Sequence, residues 1–399
     1  MDVHLLTSLR TPAGDDALAA AAAVAGGDPL VAASALRARG VPADLAAAAL
    51  TQVDLRGRAA GKFGPDAERM FFTRTGLEQA TRRSVAERRA ARLAAAGVRT
   101  MADLGCGLGA DALAAGRAGI AVHAVDADPL TAAAARANVA ACGLSHLVRV
   151  DCADATTVEV ERFDAVFADP ARRRAGRGRV FDPRACSPPW DFVLALAGQV
   201  PRTVLKLAPG IDHALIPPGA EAEWVSDGGD LVEAAFWFGP LAAAPRRAVR
   251  LPAGRELTGT GAARPPCGAP GSYLYDPDPA VVRAHLVAEF AETVAGRLAD
   301  PDIAYVYADV PADTPWARRL EVAEVMPFSL KRLRATLRDR GVGRVEIRKR
   351  GSAVEPERLR RDLRLSGPNP ASLVLTRVAG DPVVLLCREG SVRAANRGE

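Results

Sequence analysis

The stretch MADLGCGLGADALAAGRAGIAVHAVDADP, residues 101–129, decides the reading of the fold. Three glycines, Gly105, Gly107 and Gly109, fall within five positions; Asp103 stands just before them, and Asp126 closes the next apolar run. VRTMADL ahead of the glycines has the length of a short buried strand, and GADALAAGRAG after them starts a helix. Glycines between a strand and a helix let the main chain turn tightly and approach a ligand closely.

The alternation continues downstream. IAVHAVDA is a second strand, PLTAAAARANVAACG a helix, LVRVDCAD a third strand, FDAVFADP a fourth and RTVLKLAP a fifth. EAEWVSD and LVEAAFWFG, joined across Gly228 and Gly229 with no helix between, predict an antiparallel hairpin closing the sheet. This pattern predicts the α/β class, with a doubly wound sheet over residues 97–240. Upstream, residues 1–96 are rich in Ala, Leu and Arg, with breaks at GGDP (26–29), GVP (40–42) and GKFGP (61–65). They read as an N-terminal helical region ending in one long helix over 75–97, capped by Gly97. Residues 241–318, rich in Pro, Gly and Arg, read as a linker or extension with one strand (RRAVRLPA) and one helix over 276–299, opened near Pro279. Residues 319–399 read as a small separate α+β domain: a helix over 329–341, the strand VGRVEIRKRG, the helix PERLRRDLRL, and a hairpin around AGDP.

With 399 residues, 49% of them hydrophobic and 25% charged, the composition is that of a globular protein of more than one domain. No apolar run reaches the length of a membrane span, and MDVHLLTSLRTP lacks the basic-then-apolar pattern of a secretory signal. The six cysteines are scattered, with no CxxC and no histidine cluster, which predicts no metal, no disulfide framework and a reducing cytoplasm. The net charge of +5 is uneven. Residues 318–364 hold 15 Lys and Arg against 7 Asp and Glu, a local +8 that leaves −3 elsewhere. A basic module predicts a polyanionic partner, nucleic acid first. Only four of the 52 cations are Lys, a bias that a GC-rich genome also produces, so not every arginine need be functional.

The ligand follows from the loop. A dinucleotide fingerprint spaces its glycines G-x-G-x-x-G and seats a pyrophosphate on the helix N-terminus. Here the spacing is G-x-G-x-G behind an acid, and an anionic Asp103 suits a cationic ligand better than a pyrophosphate. S-adenosylmethionine carries an ammonium and a sulfonium and no phosphate, and a carboxylate is the natural partner of its amino-acid end. Asp126 is placed to accept from the ribose hydroxyls, and Asp154, after the third strand, from the adenine amino group.

DLGCGLGAD, VDADP and FDAVFADP, in that order, resemble the class I (Rossmann-like) S-adenosylmethionine-dependent methyltransferases over about residues 70–240. The resemblance implies S-adenosyl-L-methionine as cofactor. Asp103, Gly105, Cys106, Gly107 and Gly109 would line its methionine end, Asp126 and Ala127 its ribose and Asp154 its adenine, with Asp169 and Pro170 where methyl transfer occurs. Cys106 is expected as a small buried loop residue and not as a nucleophile.

DPARRR (169–174) bears on the acceptor. In related amino-group methyltransferases of nucleic-acid bases the pattern is [DN]-P-P-[YFW]: the acid and the proline carbonyl accept from the target amine, and the aromatic stacks on its base. This chain keeps Asp169 and Pro170 but has Ala171 and Arg172, which weakens the inference of N6-adenine or N2-guanine chemistry. An arginine plane also stacks on bases or grips phosphate, so Arg172 and Arg173 are expected to contact RNA. SPPW (187–190) follows no strand and reads as a loop, with Trp190 packing. Met70-Phe71-Phe72-Thr73 resembles the cofactor-covering lid of trimethylguanosine synthase-like enzymes; an ordinary pair of core phenylalanines is an equal reading. EVMPFSLKRLRATLRDRGVGRVEIRKRG resembles the small THUMP-like domain appended to some bacterial methyltransferases. It implies structured RNA (tRNA or rRNA) as partner, with Lys331, Arg332, Arg334, Arg338, Arg348, Lys349 and Arg350 on phosphates. The alternatives are a methyltransferase of a small molecule or protein, a non-catalytic RNA-binding protein and, most weakly, a nicotinamide oxidoreductase.

Overall fold

The computed structural model describes residues 1–172 and 186–389. Met1–Ala222 with Glu233–Ala243 form one compact unit, and Glu223–Val232 with the chain from Ala244 onward form a second.

The first unit opens with helices α1 (Val3–Ser8), α2 (Pro12–Ala23), α3 (Pro29–Ala38) and the long α4 (Ala43–Phe63). Asp2, Thr11 and Asp28 cap the first three, and Pro12 and Pro29 occupy first-turn positions where no amide hydrogen is needed. The single helix expected over 75–97 is instead two, α5 (Arg74–Gln79) and α6 (Arg83–Ala95). The break has a cause. The Lys62 ammonium takes the carbonyls of Leu77, Glu78 and Ala80 at 2.7, 2.8 and 3.2 Å, terminating α5, and the Thr81 hydroxyl turns to Asp111 Oδ2 at 2.7 Å. Gly97, at φ +79°, follows the end of α6 as expected.

Strands β1 (Thr100–Leu104), β2 (Ala121–Asp126), β3 (Val148–Cys152) and β4 (Ala165–Ala168) then alternate with α7 (Ala110–Arg117) and α8 (Pro129–Ala141). Beyond β4 come the two-residue strands β5 (Ala171–Arg172) and β6 (Cys186–Ser187), which pair antiparallel. Next are α9 (Trp190–Gln199), β7 (Thr203–Leu207), β8 (Glu221–Asp227) and β9 (Asp230–Trp237), of which the stretch Glu223–Val232 belongs to the second unit. SPPW is therefore not a loop: Ser187 ends β6, and Trp190 opens α9, whose period buries Val193 and Leu196. The strand order is β3-β2-β1-β4-β7-β9-β8, parallel from β3 to β7, with β9 running antiparallel to β7. β8 and β9 are neighbours in the sheet, as their Gly-Gly junction predicted, but they do not close it. One apolar core runs from Leu6 and Leu9 through Phe72 to Phe167 and Trp237. The N-terminal helices thus share the core of the sheet.

The second unit contains β10 (Arg246–Leu251) and β11 (Arg255–Gly259), an antiparallel pair, then β12 (Tyr273–Pro277), α10 (Pro279–Arg283), α11 (Val287–Thr293), β13 (Arg297–Leu298) and β14 (Val306–Ala308). The expected strand RRAVRLPA is β10, but the linker expected with that strand and one helix holds five strands and two helices; the expected helix divides at His285, whose φ is +60°. β15 (Ala317–Pro327), α12 (Leu330–Asp339), β16 (Val342–Lys349), α13 (Pro356–Leu363), β17 (Asn369–Val378) and β18 (Asp381–Glu389) complete it. Seven strands form one sheet, β13-β14-β12-β15-β18-β17-β16, so β12, β13 and β14 belong to the architecture of the C-terminal module. The period of two divides its side chains. Leu373, Leu375 and Leu386 pack with Leu333, Leu337 and Leu359 of α12 and α13, whereas Val374, Leu385 and Cys387 pack with Leu274, Tyr305 and Tyr307. β15 escaped the sequence reading because ARRLEVAEVMP fully buries only Leu320 and Met326.

Candidate functional site

β1 leads to β2 on one side and neighbours β4 on the other, so the strand order reverses between β1 and β4. In open α/β sheets ligands bind outside the carboxyl ends of the strands at such a point. Leu104 lies opposite Ala168, and the Asp169 amide donates to the Leu104 carbonyl at 3.2 Å. The glycine loop and DPAR thus leave the sheet side by side. The Gly105 and Cys106 amides both donate to the Val125 carbonyl at 2.9 Å, and Gly109 precedes α7 at φ +84°. Gly105 has φ +86°, and a β-carbon there would lie 3.0 Å from the Asp169 carbonyl oxygen, whereas one on Gly107 would meet nothing within 4 Å. The first glycine allows a close backbone approach, and the second leaves open space above the loop.

Asp103 is fully buried in β1, and neither carboxylate oxygen has a hydrogen-bond partner among the described residues. Burial, then the charges of Asp111 and Asp169, hold its carboxyl well above the usual range. A buried carboxylate left without donors is costly unless a ligand supplies them. An ammonium-bearing ligand is the chemistry that fits. Asp126 accepts from the Gly107 amide at 3.1 Å and the Asp128 amide at 3.0 Å, tying the loop to the end of β2. Burial raises its carboxyl, with these two bonds acting against it. Ala127 beside it is exposed. Cys106 is buried, its thiol pushed up by burial and then by Asp103 and Asp126, as suits a packing residue. Asp154 is exposed, and its Oδ1 caps a short turn through the Thr156 amide (2.9 Å) and hydroxyl (2.7 Å); the amide bond lowers its pKa most. Its Oδ2 lies outside that cap.

The site also gathers charges that sequence reasoning missed. Lys206 of β7 donates to Asp169 Oδ2 at 2.6 Å, with its side chain 12% exposed. Burial works to lower the pKa of this ammonium, but the charges of Asp169, Asp111 and Glu233 outweigh it. Beneath them the Arg89 guanidinium of α6 bridges Asp111 and Glu233, and its centre lies 4.6 Å from the Phe167 ring centroid. The signal for Lys206 was a lysine inside TVLKL, a strand with neighbours on both sides where apolar residues are the rule.

Met70, Phe71 and Phe72 are buried in the main core, which favours the core reading over a lid. Two buried amides fix this segment. Gln52 exchanges bonds with Phe72 at 2.7 and 2.9 Å; Asn138 accepts from the Phe71 amide at 2.7 Å and donates to the Phe71 and Leu108 carbonyls at 3.1 and 3.0 Å.

Arg173 lies outside the described residues, and Arg172 is described only as backbone in β5. On the C-terminal module Lys331 and Arg332 are exposed in the first turn of α12. Arg334 instead donates to the Asp362 carbonyl, Arg348 and Arg350 pair with Asp276 at 3.3 and 2.9 Å, and Lys349 pairs with Glu355 at 2.7 Å. Arg348, Lys349 and Arg350 thus carry carboxylate partners of their own. Among the described residues no group of His, Cys, Asp and Glu is arranged to hold a metal, and no helix is long and apolar enough to cross a membrane.

Three family matches divide the chain: a methyltransferase domain over residues 101–173, a THUMP domain-like family over 317–389, and a domain of unknown function over 2–59. An uncharacterized S-adenosylmethionine-dependent methyltransferase of Mycobacterium tuberculosis, found in strains CDC 1551 and H37Rv, is 38% identical over 346 residues, 81% of this chain and 90% of its own. The crystal structure of a proposed methyltransferase from Porphyromonas gingivalis W83 is similar in fold, with a TM-score of 0.73 and 20% identity over 98% of this chain and 100% of that one.

Proposed function

The chain belongs to the S-adenosylmethionine-dependent methyltransferases, and from that premise we propose that it methylates a base of structured RNA, tRNA or rRNA. The observation that carries the RNA assignment is the THUMP domain-like module at residues 317–389, with exposed Lys331 and Arg332 on α12. Phosphate contacts of this kind supply affinity without reading sequence.

The cofactor supplies an electrophilic methyl group. Asp103 binds its ammonium, which gives the buried carboxylate the donors it lacks. Gly105, Cys106, Gly107 and Gly109 line the methionine end, Asp126 and Ala127 hold the ribose, and Asp154 accepts from the adenine through Oδ2. Asp169 and the Pro170 carbonyl accept from the target amine and align it, pre-paying the entropy of approach. Ala171 and Arg172, in place of the second proline and the aromatic of base amino-methyltransferases, favour a second reading, a small-molecule or protein acceptor.

The test is nucleoside analysis of bulk tRNA and rRNA from a strain lacking the gene. One methylated base should disappear, return with the wild-type gene and fail to return with Asp169→Ala. An unchanged nucleoside profile would refute RNA as the substrate.

A further inference from the structure

Lys206 is an expensive residue where it stands. It lies in β7, flanked by β4 and β9, and an apolar side chain in the middle of a sheet has no charge to desolvate. Arg89 already serves Asp111 and Glu233, so those two acids do not need Lys206 as a hydrogen-bond partner. Its one ion pair among the described residues is with Asp169 Oδ2, at 2.6 Å. Among the described residues the other hydrogen bond of Asp169 is that of its main-chain amide to the Leu104 carbonyl. Its Oδ1 has no partner among the described residues, and its side chain is 34% exposed. One oxygen is clamped and the other left open.

We propose that Lys206 is a positioning residue for methyl transfer: by clamping Asp169 Oδ2 it fixes the carboxylate so that Oδ1 is presented to the acceptor group. The proposal rests on the reading of Asp169 as the group that aligns the acceptor. Without the clamp the carboxylate turns among its rotamers, and a misplacement of about 1 Å costs on the order of 100-fold in rate. Lys206 itself forms and breaks no bond and takes no proton. Its effect therefore falls on turnover and passes entirely through Asp169.

The experiment is a double-mutant cycle on the full-length protein. Transfer of labelled methyl is followed into the RNA, protein and small-molecule fractions of an extract from a strain lacking the gene, and the cycle is read in whichever fraction the wild type labels. S-adenosylhomocysteine binding by calorimetry reports that each variant is folded. Lys206→Met should lower turnover on the order of 100-fold with S-adenosylhomocysteine affinity unchanged. Lys206→Arg should restore most of it. In an Asp169→Asn background Lys206→Met should cost little more, because the two act as one unit. Effects that multiply, or Lys206→Met at wild-type turnover, overturn the proposal while leaving the role of Asp169 intact. Asp169→Asn at wild-type turnover overturns that role and the proposal with it. Label in a fraction other than RNA overturns only the RNA assignment. Should Lys206→Met fail to bind S-adenosylhomocysteine, Lys206→Gln against Lys206→Arg decides: equal turnover in the two refutes the clamp.

Discussion

Replacing Arg89 by Met removes the cation shared by two buried acids. Arg89 and Glu233 are 3% exposed and Asp111 is 9% exposed. Breaking a buried ion pair by removing one partner costs about 3–5 kcal/mol, because the other charge stays buried. Loss of the contact with Phe167 adds roughly 1 kcal/mol. Two features pull the cost down: Asp111 keeps the Thr81 hydroxyl at 2.7 Å, and Glu233 keeps the attraction of Lys206. The net expectation is about 3–4 kcal/mol, a large part of the roughly 5–15 kcal/mol that holds a domain together. Burial, opposed first by Arg89, raises the Glu233 carboxyl above its ordinary value. A raised carboxyl binds its proton more tightly folded than unfolded, so stability is lost as pH rises from the unfolded value through the folded one. The deficit of the variant should therefore grow with pH above the ordinary glutamate range. Urea unfolding of the first unit, followed by tryptophan fluorescence, should show a midpoint lowered by about 1–2 M at an unchanged slope. The neutral triple variant Arg89→Met, Asp111→Asn, Glu233→Gln should regain most of the loss, since no charge is then stranded. A single variant within about 0.5 kcal/mol of wild type, or a triple variant no better than the single, would refute this account of the network.

Asp103→Asn should abolish S-adenosylhomocysteine binding yet stabilise the protein at neutral pH, with an advantage that widens as pH rises from about 4, because the folded Asp103 carboxyl lies well above its unfolded value; paired denaturation curves at two pH values check the sign. Gly105→Ala forces a side chain into a left-handed conformation, about 1–2 kcal/mol, and against the Asp169 carbonyl, so calorimetry should find cofactor affinity down about tenfold or more. Asn138→Ala strands the buried Phe71 and Leu108 groups and should lower stability by about 2–4 kcal/mol in thermal or urea unfolding. Lys331→Glu with Arg332→Glu should weaken RNA binding at every sequence tested and reduce its logarithmic salt slope by about two; an unchanged slope would remove α12 from the RNA contact.

Much of the architecture was legible because local signals and tertiary structure agreed. The glycine loop, the strand–helix alternation after it and the Gly-Gly hairpin each follow from periodicity and turn chemistry within a few residues. The misses were long-range. α5 and α6 read as one helix because the residue that ends α5, Lys62, is remote in sequence. β15 fully buries only Leu320 and Met326 and leaves Ala323 and Val325 exposed, so its sequence carries no clean alternation of apolar and polar residues. The charges around Asp169 come from α6, α7, β7 and β9, and no spacing in the sequence brings Arg89, Asp111, Lys206 and Glu233 together. The basic strand RVEIRKR showed the opposite failure: its cations were visible, but the acids that pair with three of them, Asp276 and Glu355, were not.

The most direct test of the central claim is transfer of labelled methyl from S-adenosylmethionine to purified total RNA from a strain lacking the gene, with wild type and Asp169→Ala side by side. The account predicts label in RNA with wild type, removed by ribonuclease, and none with Asp169→Ala although both proteins bind S-adenosylhomocysteine. Unlabelled RNA beside labelled protein or small molecules, or equal labelling by the two proteins, would contradict it.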